Sequence, residues 1–171
     1  MMERFASYGL GFDIPDDWRI EFNPKTNREK GDLAFHSPRN NIFYVSWGKL
    51  ETATRRFKTI EQQRDESAKL IRSNPNVKRA DIELSSKEEV SGHEAVLSKM
   101  VAQRKRGIMA RSEDPPHDIW LLHLRCPQSS RYYVIYWDIR DATEYPDAGE
   151  MFQTMVHSFS CHRLHHSDDI R

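Results

Sequence analysis

The stretch Tyr8-Gly-Leu-Gly-Phe-Asp-Ile-Pro-Asp-Asp-Trp18 is an apolar run that ends in a proline and two aspartates, the mark of a strand meeting its first turn. It predicts one strand over Phe5 to Ile14, loosened by Gly9 and Gly11, with Pro15-Asp16-Asp17 as the turn. Trp18 to Phe22 alternates more cleanly and reads as a second strand. Asn23 to Gly31 is polar and reads as a loop. Leu33 to His36 and Ile42 to Trp47 then form a hairpin around Ser37-Pro-Arg-Asn-Asn41. Four strands are therefore expected before any helix.

Thr59-Ile-Glu-Gln62 fits a capping box, in which each side chain satisfies a backbone amide left orphaned by the other's position. It predicts a helix through Ala68, Leu70 and Ile71 that stops before Asn74-Pro75, because proline disfavours helical geometry in the preceding residue. Val77 to Val90 and Ala95 to Arg106 read as strands joined at Ser91-Gly92. Asp118 to Arg125 and Arg131 to Asp138 flank Cys126-Pro-Gln-Ser-Ser130 and are apolar or aromatic on both faces, the pattern of strands covered on both sides. Pro146 suits the first turn of a last helix whose Met151, Phe152, Met155, Val156 and Phe159 form one apolar stripe. Together these elements predict an α+β fold, a mostly antiparallel sheet flanked by helices.

At 171 residues the chain has the usual size of one domain and can bury a core without disulfides. Residues 1–160 are read as that domain and 161–171 as a polar tail containing cysteine and histidine. Lysine plus arginine equal aspartate plus glutamate at 26 each, so net charge favours neither nucleic acid nor anionic lipid. No apolar run resembles a signal peptide or a membrane span, and two cysteines are too few for a secreted disulfide scaffold. The expectation is a cytoplasmic protein with free thiols and no membrane or nucleic-acid partner.

With its elements in this order, the chain resembles the PsbP and Mog-type superfamily. The resemblance rests on Gly11-Phe-Asp-Ile-Pro-Asp-Asp-Trp18, on the hairpin Val90-Ser-Gly-His-Glu-Ala95, and on Phe152 with Ser158-Phe159 in the last helix. It implies an α/β/α sandwich around an antiparallel sheet. Members include an extrinsic photosystem II subunit and a regulator of a nuclear-transport GTPase, and their known roles are mainly binding roles. Unlike the photosynthetic members the chain shows no targeting segment, and no GTPase-binding residues can be matched onto it. The resemblance thus implies a non-enzymatic binding or accessory protein that holds a protein or small ligand in a sheet–helix groove or at the sheet rim.

Cys161-His-Arg-Leu-His-His166 combines the thiolate and imidazole ligands that zinc prefers. The strand after the Cys126 turn runs away from its tip for roughly 26 Å. A helix over Pro146 to Phe159 returns about 20 Å. Cys161 should therefore lie beside Cys126. Three readings of that pair stand. The cysteines are small buried apolar groups, with His157, His162 and His165 favoured by the negative end of the helix dipole. Alternatively, Cys126, Cys161 and His162 with His165 or His166 hold a metal, zinc being the expected ion, or form a redox-sensitive thiol pair. In the third, one cysteine is a nucleophile activated by imidazole, though no third group orients that imidazole. Strand alternation points His123 away from Cys126, to the opposite face.

Arg104-Lys-Arg106 with Arg111 reads as a solvated rim, and Asp13, Asp16 and Asp17 as turn chemistry. Trp18, Trp47, Trp120 and Trp137 read as core or groove lining. The chain has no Gly-x-Gly-x-x-Gly, Gly-x-x-x-x-Gly-Lys, His-Glu-x-x-His or Gly-x-Ser-x-Gly, so nothing supports a dinucleotide or nucleotide site, a zinc protease or a serine hydrolase. No cofactor other than zinc is expected.

Overall fold

The computed structural model describes residues 1–105 and 115–162. The opening stretch is a hairpin rather than one strand. β1 (Met2–Ser7) and β2 (Leu10–Pro15) pair antiparallel from Met2 opposite Pro15 to Ser7 opposite Leu10, which leaves Tyr8 and Gly9 as a two-residue loop. Both loop residues have positive φ, 52° and 75°, the signature of a type I′ turn. Glycine adopts that conformation freely, whereas Tyr8 does so at a steric cost, offset where its ring packs on Trp47 at 5.5 Å. The alternation of apolar residues continues through the turn, which is why Phe5 to Ile14 reads as uninterrupted.

The main sheet has seven strands in the order β3-β4-β5-β9-β8-β7-β6, every neighbouring pair antiparallel. β3 (Arg19–Phe22), β4 (Gly31–His36) and β5 (Ile42–Lys49) form one edge. β6 (Val77–Val90) and β7 (His93–Arg104) form the other, turning at Ser91 and Gly92 with φ of 56° and 74°, again a type I′ pattern. β8 (His117–Cys126) and β9 (Arg131–Ile139) fill the middle. Five strands therefore precede the first helix.

That helix, α1 (Leu50–Arg56), follows β5 directly and was not expected. Its start has no capping side chain and only Ala53 is buried, so neither boundary nor periodicity announces it. Tertiary contact holds it, including the bond from Leu50 N to Ser130 O at 2.9 Å. α2 (Ile60–Ser73) begins where Thr59 accepts from Gln62 N at 3.2 Å. The Gln62 side-chain Oε1 accepts from Lys58 N at 2.8 Å, one residue before the position a capping box would use. α3 (Ala148–His157) starts after Asp147, so Pro146 stands just outside it. Its ten residues span about 15 Å.

Two apolar clusters lie on opposite faces of the sheet. One gathers Phe12, Phe35, Phe43, Trp137, Phe152 and their neighbours beneath α3 and the N-terminal hairpin. The other lies under α2 and includes Ala68, Ala80, Met100 and Leu121. Period-two alternation distributes β8 between them, Leu122, Leu124 and Cys126 to the first and Ile119 and Leu121 to the second. The expectation that β9 is covered on both sides needs correction. Tyr133, Ile135 and Trp137 are fully buried, but Val134, Tyr136 and Asp138 on the other face are only half-buried. α2 packs principally on β6, β7 and β8 and leaves that face of β9 partly open. Trp18, Trp47 and Trp137 are buried in the core, and Trp120 packs on Phe152 at 6.0 Å. No helix among the described residues is long and apolar enough to cross a membrane.

Candidate metal centre

The β6–β7 and β8–β9 hairpins turn at the same end of the sheet. Ala95 of β7 pairs with Leu124 of β8, and continuing that antiparallel register by two residues sets His93 opposite Cys126. Cys126 closes β8, immediately before the turn Pro127–Ser130, and Ser129 N donates to its sulfur at 3.4 Å.

The segment after α3 is stitched to the same end. Ser160 exchanges backbone hydrogen bonds with Gly11 at 3.0 and 2.7 Å. Arg4 donates to Ser158 O and Ser160 Oγ, both at 2.7 Å. Arg131, only 8% exposed, donates Nη1 to Tyr8 O and Arg28 O at 2.8 and 3.1 Å, and Nη2 to Gly9 O and Cys161 O at 3.0 and 3.2 Å. Tyr133 adds a bond from its hydroxyl to Cys161 O at 3.1 Å, and burial pushes that phenol up to about 12, so it remains a donor. These contacts place Cys161 and His162 against the tips of both hairpins.

His93, Cys126, Cys161 and His162 present one donor atom each, all within 4.8 Å of one another. Cys126 Sγ lies 3.3 Å from His93 Nε2 and 3.5 Å from His162 Nδ1, and Cys161 Sγ lies 3.2 Å from His162 Nδ1. The two imidazoles meet edge to face at 5.3 Å. Both cysteines are free, and both are fully buried. Cys161 and His162 form part of the wall of a cleft of about 960 Å³, shared with Tyr8, Arg28, Lys49 and Arg131, which gives the cluster a path to solvent.

The two thiols titrate together, shifted in opposite directions. The hydrogen bond from Cys161, helped by Ser129 and His162, pulls the Cys126 thiol well below its ordinary range in spite of burial. The Cys161 thiol is pushed up, first by that same bond to Cys126 and then by burial. Of the two, Cys126 is the one biased toward the thiolate.

Of the residues singled out from the sequence, Cys126, Cys161 and His162 are brought together. His165 and His166 lie outside the described residues, as do Arg106 and Arg111 of the basic run. The member of the cluster not foreseen is His93, hidden in a stretch read only as a hairpin. The signal was available in the register, since two turns at one end of adjacent strands bring their flanking residues face to face.

His123 is turned to the face under α2, where its Nε2 lies 2.8 Å from Ser67 Oγ. Its Nδ1 is buried without a hydrogen-bond partner among the described residues. Burial, with a smaller push from Arg64, lowers its pKa to about 3. A base whose folded pKa is depressed contributes stability fully above the unfolded value of about 6.5 and loses it as pH falls, because the unfolded chain takes up the proton first. The expected loss from this residue between pH 7.5 and 5.5 is on the order of 1 kcal/mol. Urea unfolding of the wild type and His123→Leu at both pH values checks it: the substituted protein should lack that part of the pH dependence.

No family model and no curated protein matches the chain. Solved structures do. The solution structure of cyanobacterial PsbP (CyanoP) from Synechocystis sp. PCC 6803 aligns with a TM-score of 0.55 at 10% identity, over 92% of this chain and 91% of that one. A crystal structure from Bacteroides thetaiotaomicron VPI-5482 aligns with a TM-score of 0.53 at 14% identity, over 94% of this chain but 48% of that one, so this chain spans about half its length. Likeness at such identities is one of fold, and the chain has a PsbP-like fold.

Proposed function

We propose that the protein is a non-enzymatic binding protein whose ligand at this end of the sheet is a borderline divalent metal ion, zinc, held by His93, Cys126, Cys161 and His162. The observation that carries the reading is the gathering of four donors within 4.8 Å of one another, with three sulfur–nitrogen spacings near a tetrahedral edge. Zinc bonds of about 2.3 Å to sulfur and 2.0–2.1 Å to nitrogen put tetrahedral sulfur and nitrogen ligands about 3.6 Å apart. The sulfur–nitrogen contacts of 3.2 to 3.5 Å stand close to that edge length. Hydrogen bonding alone accounts for the cluster less well. His162 Nδ1 faces both sulfurs, yet one ring nitrogen has a single proton or a single lone pair to offer. A cation between the donors engages all four.

Four protein ligands close a tetrahedral site, and closed sites are structural, whereas catalytic zinc keeps a position for water. The ion would tie the tips of two hairpins to the segment after α3. A structural or accessory role also accords with the binding roles of the PsbP and Mog-type proteins that the chain resembles. The cover of the sheet, α2 over one face and α3 with the N-terminal hairpin over the other, supports reading the domain as an α/β/α sandwich. The nearness of the two sulfurs favours a second reading, a redox-sensitive thiol pair.

Protein purified without a polyhistidine tag and titrated with zinc should bind one equivalent, with cobalt giving thiolate-to-metal absorption at the same stoichiometry. Absence of metal uptake with two thiols that react only after unfolding would overturn the metal reading. Ready formation of a Cys126–Cys161 disulfide, in place of metal uptake, would favour the thiol pair.

A further inference from the structure

The face of the sheet under α2 carries a second feature, away from the metal end. Because α2 stops short of β9, a groove of about 550 Å³ opens between them, within the range of small-molecule sites. Ile119, Leu121, Val134 and Tyr136 are among its apolar lining, and Leu70 and Ile71 of α2 face them across it. Leu70 is 63% exposed at the rim, a large aliphatic group left beside an open apolar floor.

One end of this groove is charged. Asp138, whose side chain is 14% exposed, accepts from Arg140 Nε at 2.9 Å and from Arg104 Nη2 at 3.4 Å. His117 Nε2 lies 3.1 Å from the other carboxylate oxygen, as an electrostatic contact rather than an aligned hydrogen bond. Burial alone would raise the Asp138 carboxyl, but neighbouring His117 and Arg140 hold it below the ordinary range, so it is ionised. Among the described residues lining the groove, two guanidiniums against one carboxylate leave an excess of one positive charge. The C-terminus of α2, with Asn74 in the groove wall, subtracts about half a charge and does not cancel it. Each guanidinium has five donors, and the bonds to Asp138 engage one nitrogen of each.

We propose that this groove binds an amphipathic monocarboxylate, its head at Arg104 and Arg140 and its apolar body along Tyr136, Ile119 and Ile71. From Asp138 to Val134 the floor runs four residues, about 13 Å at the usual rise, which suits a medium-length acyl chain. The carboxylate is met by forked guanidinium donors, and the acyl body covers the face that α2 leaves open. The site shares no residue with the metal cluster and stands or falls without it.

The test is heteronuclear NMR of the isotope-labelled protein titrated with decanoate, below its micelle-forming concentration, and in parallel with 1-decanol. Decanoate should shift amides of β8, β9 and α2 saturably at one equivalent, and decanol should bind at least about tenfold more weakly. Arg140→Gln, at a side chain 41% exposed and so expected to stay folded, should weaken decanoate by about tenfold or more. Leu70→Asp should weaken it too, by placing a like charge on the exposed rim. Equal binding of acid and alcohol, indifference to Arg140→Gln, or no saturable shift would each overturn the proposal.

Discussion

Cys126→Ser lowers zinc affinity by two to three orders of magnitude. Structural zinc sites bind with about 10–16 kcal/mol at neutral pH, and an even share among four ligands is about 2.5–4 kcal/mol each. That share is a factor of roughly a few hundred in dissociation constant. Serine is nearly isosteric, but its hydroxyl stays protonated and offers zinc a poor donor, so the loss is chemical rather than steric. Competition with a chromophoric chelator measures it. Cys126 is the informative sulfur because it stands between both imidazoles, 3.3 Å from His93 Nε2 and 3.5 Å from His162 Nδ1. An affinity within tenfold of the wild type would remove Cys126 from the site.

Arg131→Met destabilises the fold by about 3 kcal/mol. Its guanidinium serves four carbonyls, those of Tyr8, Gly9, Arg28 and Cys161, from a buried position. An unmet acceptor costs about 1–3 kcal/mol where burial is complete, as at Cys161 O, which keeps Tyr133 as a second partner, and less at the partly buried carbonyls of Tyr8, Gly9 and Arg28, so the four together come to about 3 kcal/mol. Methionine fills the stem's volume, so cavity formation contributes little and the loss reports on hydrogen bonding. Arg131→Lys should recover only a small part, because a point ammonium with three donors cannot reach three separate segments at once. Urea unfolding with an unchanged slope is the measurement, and a loss under 1 kcal/mol would show that water replaces the guanidinium freely. Zinc affinity should fall as well, by about ten- to hundredfold, since Arg131 orients the backbone of a ligand rather than binding the ion.

The sheet's long strands were legible because their chemistry is local. Ser91-Gly92 and the capping threonine at Thr59 announce their elements within a few residues, and the apolar stripe of α3 follows a helical period. The first hairpin was not, because Tyr8 occupies a left-handed position that usually falls to glycine or asparagine, and its packing partner Trp47 lies far along the chain. α1 escaped for the same kind of reason: its stability comes from a bond to Ser130 and the burial of Ala53. At the candidate site, strand and helix lengths sufficed to bring Cys161 to Cys126, even though α3 is shorter than expected. His93 required the register between β7 and β8, a relation that no window of sequence contains. The open face of β9 was equally hidden, since an apolar pattern reports what a strand could bury and not how far a helix reaches across it.

The exchange of hydrogen bonds between Gly11 and Ser160 spans 149 residues of chain, and it positions Cys161. A contact of such sequence separation is slow to find during folding, because its loop must close before any bond rewards the closure. Sheet pairing among β7, β8 and β9 can present His93 and Cys126 early, but the other two donors arrive only when residues 158–162 dock on the first hairpin. Zinc capture would then be a late kinetic event, and its rate in a refolding experiment would clock the moment the two distant parts of the chain meet.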